Sequence, residues 1–299
     1  MSLKKETPLD IKLHAAAANG DMLTIIQLLN TGRVHIDCKD NENTTPLILA
    51  TANGHLDVVK LLLDHGAKIS ASRFTGTTAL FFAAQGGFLD IVKLLISRGA
   101  IINSLSYDGA TPFFVSCQCG YYEIARLLFN NGAVINGKLN DGSSPLFIAA
   151  QNGHIKIVHM LLKLGCEVDD RRNDMTTPLW IASQMGHVDI VKILLKYNAN
   201  VDAERIDGAT PLFKACHKGH VTVVEELLKY KPNLNLLQNG ESVLHAAIIG
   251  GHFQIIKLLL QSGANYRLKN QDGFSALDFA IESKFENIRD YFYRIHKFN

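Results

Sequence analysis

Five histidines recur at one position of the chain, and they are the first residues whose type suggests chemistry. Imidazole is a common zinc ligand, but a zinc site needs three or four ligands that converge in a compact set. No further ligand accompanies these histidines in the sequence, so we predict no metal site and expect each ring to form hydrogen bonds within its own sequence unit. The series consists of His55, His154, His187, His220 and His252.

The five cysteines also form no recognisable site. Cys117 and Cys119 are separated by one residue, whereas a zinc-binding pair has a two-residue spacing and needs a second pair. We expect Cys117 and Cys216 to be small buried residues of helices. The chain has neither the Gly-x-Ser-x-Gly motif of a nucleophile elbow nor the glycine-lysine motif of a phosphate-binding loop. The sequence therefore predicts no catalytic residue and no cofactor.

Composition argues against several further classes of protein. The 299 residues include 30 Lys and Arg against 28 Asp and Glu, and a net charge of +2 is too small for a general nucleic-acid binder. No apolar run approaches the roughly 20 residues that span a bilayer, so we predict no membrane insertion. The first nine residues lack the apolar core of a signal peptide. Sparse cysteines favour a reducing compartment, and we expect a cytoplasmic protein.

The chain repeats itself along its whole length. One glycine recurs at intervals of 34, then five times 33, then 32 residues, and this period indicates a stack of similar structural units. The series consists of Gly20, Gly54, Gly87, Gly120, Gly153, Gly186, Gly219 and Gly251.

Each unit predicts two helices and a turn. Pairs such as Thr45-Pro46 supply a hydroxyl that caps the start of a helix and a proline that fits its first position. The first helix is rich in alanine, and the repeated glycine suits a left-handed cap at its end. The second helix carries apolar residues at helical spacing. Dipeptides such as Asp108-Gly109 predict a tight turn between units.

These motifs resemble the ankyrin-repeat family over essentially the whole chain. Thr-Pro-Leu, Ala-Ala, Gly-His and Gly-Ala recur in register at the family's 33-residue period. The resemblance implies an all-α repeat fold, an ankyrin solenoid of about nine helix-turn-helix units with β-hairpin fingers. We expect a single repeat domain over 1–299. It would comprise an N-terminal capping repeat at 5–36, seven internal repeats at 37–266 and a degenerate C-terminal capping repeat at 267–299.

One position departs from the family's pattern. The family usually has His after Thr-Pro-Leu, as at His14 and His245, but five units carry an aromatic residue there. Such rings can pack between first helices, or they can form an exposed ledge for a partner. We expect packing. The aromatic stripe consists of Phe81, Phe114, Phe147, Trp180 and Phe213.

Two further series lie where the family exposes variable side chains, on its concave face and on its finger tips. Glutamine, with two donors and an acceptor, recurs after the alanine-rich stretch, and a row of glutamines could bind the backbone of an extended peptide. Solvated filler is an equally good interpretation of that row. The candidate partner-binding residues are Phe74, Gln85, Tyr107, Gln118, Asn140, Gln151, Asn173 and Gln184.

The sequence thus predicts a non-enzymatic, monomeric scaffold that binds a partner protein or peptide on its concave face and finger tips. The alternative is a self-associating structural or mechanical element, which an exposed aromatic stripe or the run from Tyr291 to His296 could mediate. The resemblance also suggests that an asparaginyl hydroxylase modifies Asn103 and Asn136, although unmodified turn asparagine is the favoured interpretation.

Overall fold

The chain folds into pairs of short antiparallel helices. The computed structural model describes residues 6–236 and 240–298, and within these ranges it contains eighteen α-helices and no sheet. They form nine pairs, in agreement with the predicted repeats and the predicted all-α ankyrin architecture. The predicted capping repeats at 5–36 and 267–299 each extend one residue beyond the described part. The helices belong to two compact units, Met1–Asn140 and Asp141–Asn299.

The first unit contains four helix pairs. The first helices contact one another in chain order, and the second helices form a parallel row behind them. The helices are α1 Pro8–Asn19, α2 Met22–Asn30, α3 Pro46–Ala52, α4 Leu56–Asp64, α5 Ala79–Gly86, α6 Leu89–Ser97, α7 Pro112–Cys119 and α8 Tyr122–Asn130.

The second unit contains five helix pairs that are stacked in the same way. Its helices are α9 Pro145–Gln151, α10 Ile155–Lys163, α11 Pro178–Met185, α12 Val188–Lys196, α13 Pro211–Lys218, α14 Val221–Leu228, α15 Val243–Ile249, α16 Phe253–Gln261, α17 Ala276–Ile281 and α18 Glu286–Phe298.

The first helices begin as the Thr-Pro motif predicts. The hydroxyl of Thr111 accepts a hydrogen bond from the backbone N–H of Phe114 at 3.1 Å, and Thr177 does the same for Trp180 at 3.2 Å. In both helices proline occupies the first helical position, where it sacrifices no hydrogen bond. Each of these two caps satisfies a buried backbone N–H, and it therefore fixes the residue at which the helix begins.

The first helices end at the repeated glycine, where the backbone turns towards the second helix. Gly87 has φ of 77°, in the left-handed region, and its N–H donates to the carbonyl of Ala83. A Cβ atom at Gly87 would lie 2.5 Å from the ring of Tyr121 in the following repeat. Glycine is therefore required here both for the turn and for the close approach of the next layer.

The fingers are tight turns that are closed by a few hairpin-type bonds. In one of them, the N–H of Ser106 donates to the carbonyl of Ala110, and the N–H of Gly109 donates to the carbonyl of Ser106. Among the described residues only Ser72–Thr78 and Lys269–Ser275 form strand-like bridges. The paired parts of the fingers are too short for regular strands, and the fingers are therefore turns.

Candidate protein-binding surface

The finger tips of the first unit are joined through their backbones. The N–H of Tyr107 donates to the carbonyl of Thr75 at 2.7 Å. The N–H of Asn140 donates to the carbonyl of Asp108 at 3.0 Å, and its side-chain amide donates to the carbonyl of Tyr107 at 3.2 Å. Each of these tips is thereby hydrogen-bonded to the preceding tip through its backbone N–H. The side chain of Tyr107 takes no part in this bond.

The aromatic side chains on these tips project into solvent. Tyr107 is 87% exposed and Phe74 is 63% exposed, although both belong to residue types that normally lie in cores or interfaces. The two candidate glutamines of this unit, Gln85 and Gln118, are also exposed, at the ends of α5 and α7. We call the tips and the last turns of the first helices the inner surface of each unit.

The second unit has its own inner surface. The N–H of Asn173 donates to the carbonyl of Asp141 at 3.1 Å, so the tip ladder recurs here. Gln151 and Gln184 are half-buried at the ends of α9 and α11, whereas Gln85 in the other unit is exposed. This difference is not visible in the sequence, because all four glutamines occupy the same position of the repeat, 33 residues apart.

Arginines at the bases of two fingers in the second unit were not among the predicted site residues. Arg172 lies over the ring of Phe147 at 5.8 Å, and Arg205 lies over the ring of Trp180 at 5.4 Å. Asp174 lies between these arginines, 3.6 and 3.4 Å from their Nε atoms. Burial alone would raise the pKa of Asp174, but hydrogen bonds within its turn and the two cations hold the pKa below its usual value. These arginines connect the fingers to the aromatic layer beneath.

The aromatic stripe is buried, as expected, and the alternative of an exposed ledge is wrong. Its five residues are between 1% and 9% exposed to solvent. Trp180 also donates from its indole N–H to the carbonyl of Ala209 at 2.8 Å, which satisfies its single polar atom. Cys117 and Cys216 are fully buried, in agreement with prediction, and burial raises the pKa of the Cys216 thiol.

Four members of the histidine series bond to the preceding repeat, and for these the expectation of bonds within each unit is wrong; they are His55, His187, His220 and His252. His55 Nε2 donates to the carbonyl of Ala18 at 2.8 Å, in the preceding repeat. The bond crosses to the preceding repeat because the His55 ring packs directly against Gly20, the glycine of that repeat. A Cβ at Gly20 would be 2.9 Å from the imidazole. Among residues 6–236 and 240–298, no three His, Cys, Asp or Glu side chains converge as metal ligands.

Comparison with known proteins agrees with this architecture. A family model described as ankyrin repeats (3 copies) matches the chain in overlapping segments, at 13–106, 70–139, 101–172, 146–237, 198–270 and 230–297. The chain therefore belongs to the ankyrin-repeat family. Ankyrin-repeat domains are generally protein–protein interaction modules without enzymatic activity. None of the described helices is both long enough and apolar enough to cross a membrane.

Particular relatives are similar over shorter stretches. The chain is 47% identical over 73 residues to ankyrin repeat domain-containing protein 29 of Danio rerio, and 45% identical over 73 residues to the Homo sapiens protein of that name. Each match spans 24% of this chain and 24% of the relative. The crystal structure of the human ASB11 ankyrin repeat domain is 32% identical, with a TM-score of 0.67, over 72% of this chain and 98% of that chain.

Proposed function

We propose that the chain is a scaffold that binds a partner protein or an extended peptide on its inner surfaces. The observation that carries the proposal is the exposure of Tyr107 on a tip whose backbone is fixed by the 2.7 Å bond to Thr75. A solvated aromatic ring on a rigid tip contributes nothing to the core. It is, however, the kind of side chain that anchors an interface.

Rigidity favours binding at such a tip. A flexible loop loses conformational entropy when it docks, whereas a tip that is already hydrogen-bonded to its neighbour has little left to lose. Asn140 adds to this, because its amide is engaged with the carbonyl of Tyr107 and therefore holds two adjacent tips in one register. The first unit would thus present Phe74, Tyr107 and Asn140 as one preformed set.

The glutamines supply the complementary polar part. Gln85 and Gln118 are exposed, and each amide can donate to and accept from the backbone of an extended peptide. In the second unit Gln151 and Gln184 offer the same chemistry from half-buried positions, and Asn173 offers it from an exposed one. Because the two units carry separate inner surfaces, we treat the second set as an independent patch for the same class of partner.

The test compares capture of partners from cell lysate by three forms of the full chain. One form is wild type, the second carries Phe74→Ala and Tyr107→Ala, and the control carries Leu23→Ala, which removes an apolar side chain that is 74% exposed on α2. We expect one partner to be lost by the tip variant and kept by the control. Equal capture by the tip variant and the wild type would refute the tip site.

Self-association is the alternative, and the burial of the aromatic stripe removes one of the two features that suggested it. In the C-terminal run Phe292 is 1% exposed and Tyr291 packs on Phe253 with ring centroids 5.4 Å apart, while Tyr293 is 51% exposed. The side chain of His296 lies outside the described residues. Light scattering over a range of concentrations tests the alternative, and we expect the mass of a monomer throughout.

A further inference from the structure

A groove lies on the outer side of the second unit, between the second helices α10 and α12. It has a volume of about 420 Å³ and is open to solvent. It is separate from the inner surface, which is formed by first helices and finger tips. The groove is lined by Ile155, Lys156, His159, Ile193, Lys196 and Tyr197.

The floor of the groove is apolar. Ile155 is 44% exposed at the start of α10, and Ile193 and Tyr197 are half-buried at the end of α12. These three side chains leave a solvated apolar surface that a single leucine or aromatic side chain could cover. Covering it would remove apolar area from water, which is the usual source of affinity for an anchor residue.

The rim of the groove carries two lysines and a histidine. Lys156, His159 and Lys196 are exposed, and the lining contains no carboxylate. In the part of the chain that the structure describes, neither lysine forms an ion pair. Asp189, at the start of α12 and close to Ile155, pairs with Lys192 at 3.3 Å, so it does not neutralise either groove lysine through an ion pair.

Lys156 breaks a pattern of the second helices. The equivalent residues in four other repeats are acidic, namely Asp57, Asp90, Glu123 and Asp189. An acidic side chain in the first turn of a helix interacts favourably with the helix dipole, and a lysine there does not. Helix stability therefore does not favour Lys156, whose exposed ammonium group is available to pair with an anion.

The two lysines are spaced along the groove. Lys156 corresponds to Asp189, 33 residues later, and Asp189 precedes Lys196 by seven residues, or about 10 Å along a helix. Because α10 and α12 also lie about 8–10 Å apart as packed helices, the backbones of the two lysines are about 14 Å apart, a length that about four residues of an extended peptide span. Two carboxylates four residues apart, with apolar side chains between them, can thus reach both lysines at once.

We propose that this groove is a second docking surface, which binds an acidic segment of a partner protein. A leucine or aromatic side chain of the segment fills the groove above Ile155, Ile193 and Tyr197. Its flanking carboxylates pair with Lys156 and Lys196. The proposal is independent of the inner-surface residues, because none of them lines the groove.

Fluorescence anisotropy with a labelled peptide tests the proposal on the full chain. The probe is Gly-Asp-Glu-Leu-Trp-Glu-Asp-Gly, and a second peptide replaces its four acids by the corresponding amides. We expect saturable binding of the acidic peptide that weakens with added salt, and no saturation with the amide peptide. Lys156→Glu should weaken binding about tenfold, because it removes an attraction and adds a repulsion.

Lys93→Glu is the matched control. It makes the same change of charge on α6 of the other unit, and we expect it to leave affinity unchanged. Because four other repeats carry Asp or Glu at the position of Lys156, Lys156→Glu should fold, and circular dichroism verifies this. Three results would each overturn the proposal: no saturable binding by wild type, equal loss in both variants, or equal affinity for the amide peptide. Self-association of the wild type that Lys156→Glu abolishes would also overturn it, since a second copy would then fill the groove.

Discussion

The imidazole Nε2 of His187 donates a hydrogen bond to the main-chain carbonyl of Gln151, one repeat earlier, at 3.0 Å. Gln151 is one of the proposed partner-binding residues, and this bond fixes its backbone while it leaves the side-chain amide available. His220 does the same for Gln184 at 2.9 Å. For Gln151 and Gln184, an imidazole of the next repeat therefore fixes the backbone from which the glutamine side chain projects.

Substitution of His187 should separate the contributions of this bond and of the ring. His187→Phe keeps a ring beside Gly153 and loses the hydrogen bond, at a cost of about 1 kcal/mol in the free energy of unfolding. Phe88 is native at the equivalent position, so the larger ring fits. His187→Ala loses both contributions and should cost about 2 kcal/mol or more. Urea denaturation measures both, and equal stability of the Phe and Ala variants would contradict this assignment.

Met175 should be a site of stabilisation. It has φ of 68°, in the left-handed region, at the finger position where Gly76, Gly109 and Gly208 stand in other repeats. The left-handed conformation costs a residue with a Cβ about 1–2 kcal/mol, so Met175→Gly should raise the free energy of unfolding by about 1 kcal/mol. Thermal and urea denaturation measure the change.

The control for Met175 is Asn43, which has φ of 63° at the same position of another finger. Its side-chain amide donates to the carbonyl of Ser72, and asparagine tolerates this conformation well. Asn43→Gly should therefore give no gain. A gain of similar size in both variants would show that the backbone strain at Met175 is not the cause.

His245 should make stability depend on pH. It is buried, and burial lowers the pKa of its imidazole below the usual 6.5, although the carbonyl of Phe274 acts in the opposite direction. As pH falls through about 6.5, the unfolded chain gains a proton at this residue that the folded chain resists, so stability falls. The loss should become steeper from about pH 7 to about pH 5.

The variant His245→Asn should flatten this part of the curve of melting temperature against pH. His217 needs its own variant, since partial burial and the cations Lys214 and Lys218 also lower the pKa of its imidazole. His217→Asn should have the smaller effect, because His217 is exposed. An unchanged slope in His245→Asn would show that protonation of this residue does not limit stability.

Trp180, the single tryptophan, should be essential to the packing of the second unit. Its ring is 4% exposed, so Trp180→Ala should cost about 3–5 kcal/mol, while Trp180→Phe should cost about 1 kcal/mol for the bond to Ala209. Tyr107→Ala is the matched control, because that ring is solvated and its loss should change stability by less than about 0.5 kcal/mol. Denaturation followed by circular dichroism compares the three, and a large loss in Tyr107→Ala would contradict the exposed tip.

The asparagine hydroxylation that the family resemblance suggests stays a prediction for Asn103 and Asn136, which are both exposed. The Asn103 side chain donates to the carbonyl of Gly132 at 3.0 Å and accepts from the N–H of Val134 at 2.9 Å. Because the amide connects two repeats in this way, we expect the unmodified residue to predominate. Mass spectrometry of protein made in cells measures the added oxygen, and its presence on most molecules would refute this expectation.

Local signals in the sequence were sufficient for the fold. The caps at Thr111 and Thr177, the turn at Gly87 and the burial of Trp180 each follow from residue type and position. The exposure of Tyr107 also agrees with its place on a finger tip. The acceptor of His187 was not predictable, because it depends on how close adjacent layers approach.

The outer groove was missed for a related reason. Its one signal in the sequence was Lys156, at a position where four other repeats carry Asp or Glu. That difference became meaningful only once α10 and α12 were seen to place Ile155, Ile193 and Tyr197 around a common opening. A repeat pattern predicts where side chains lie along each helix, but not which of them face one another across two helices.

The backbone ladder between finger tips has a consequence for how such a chain can change over time. Tyr107 and Asn173 are both held through their main-chain N–H groups, which every residue except proline possesses. Replacement of either side chain therefore leaves the connection between fingers in place. Selection can vary the tips one at a time while the scaffold stays folded, so new binding preferences can arise through single substitutions, as can designed ones.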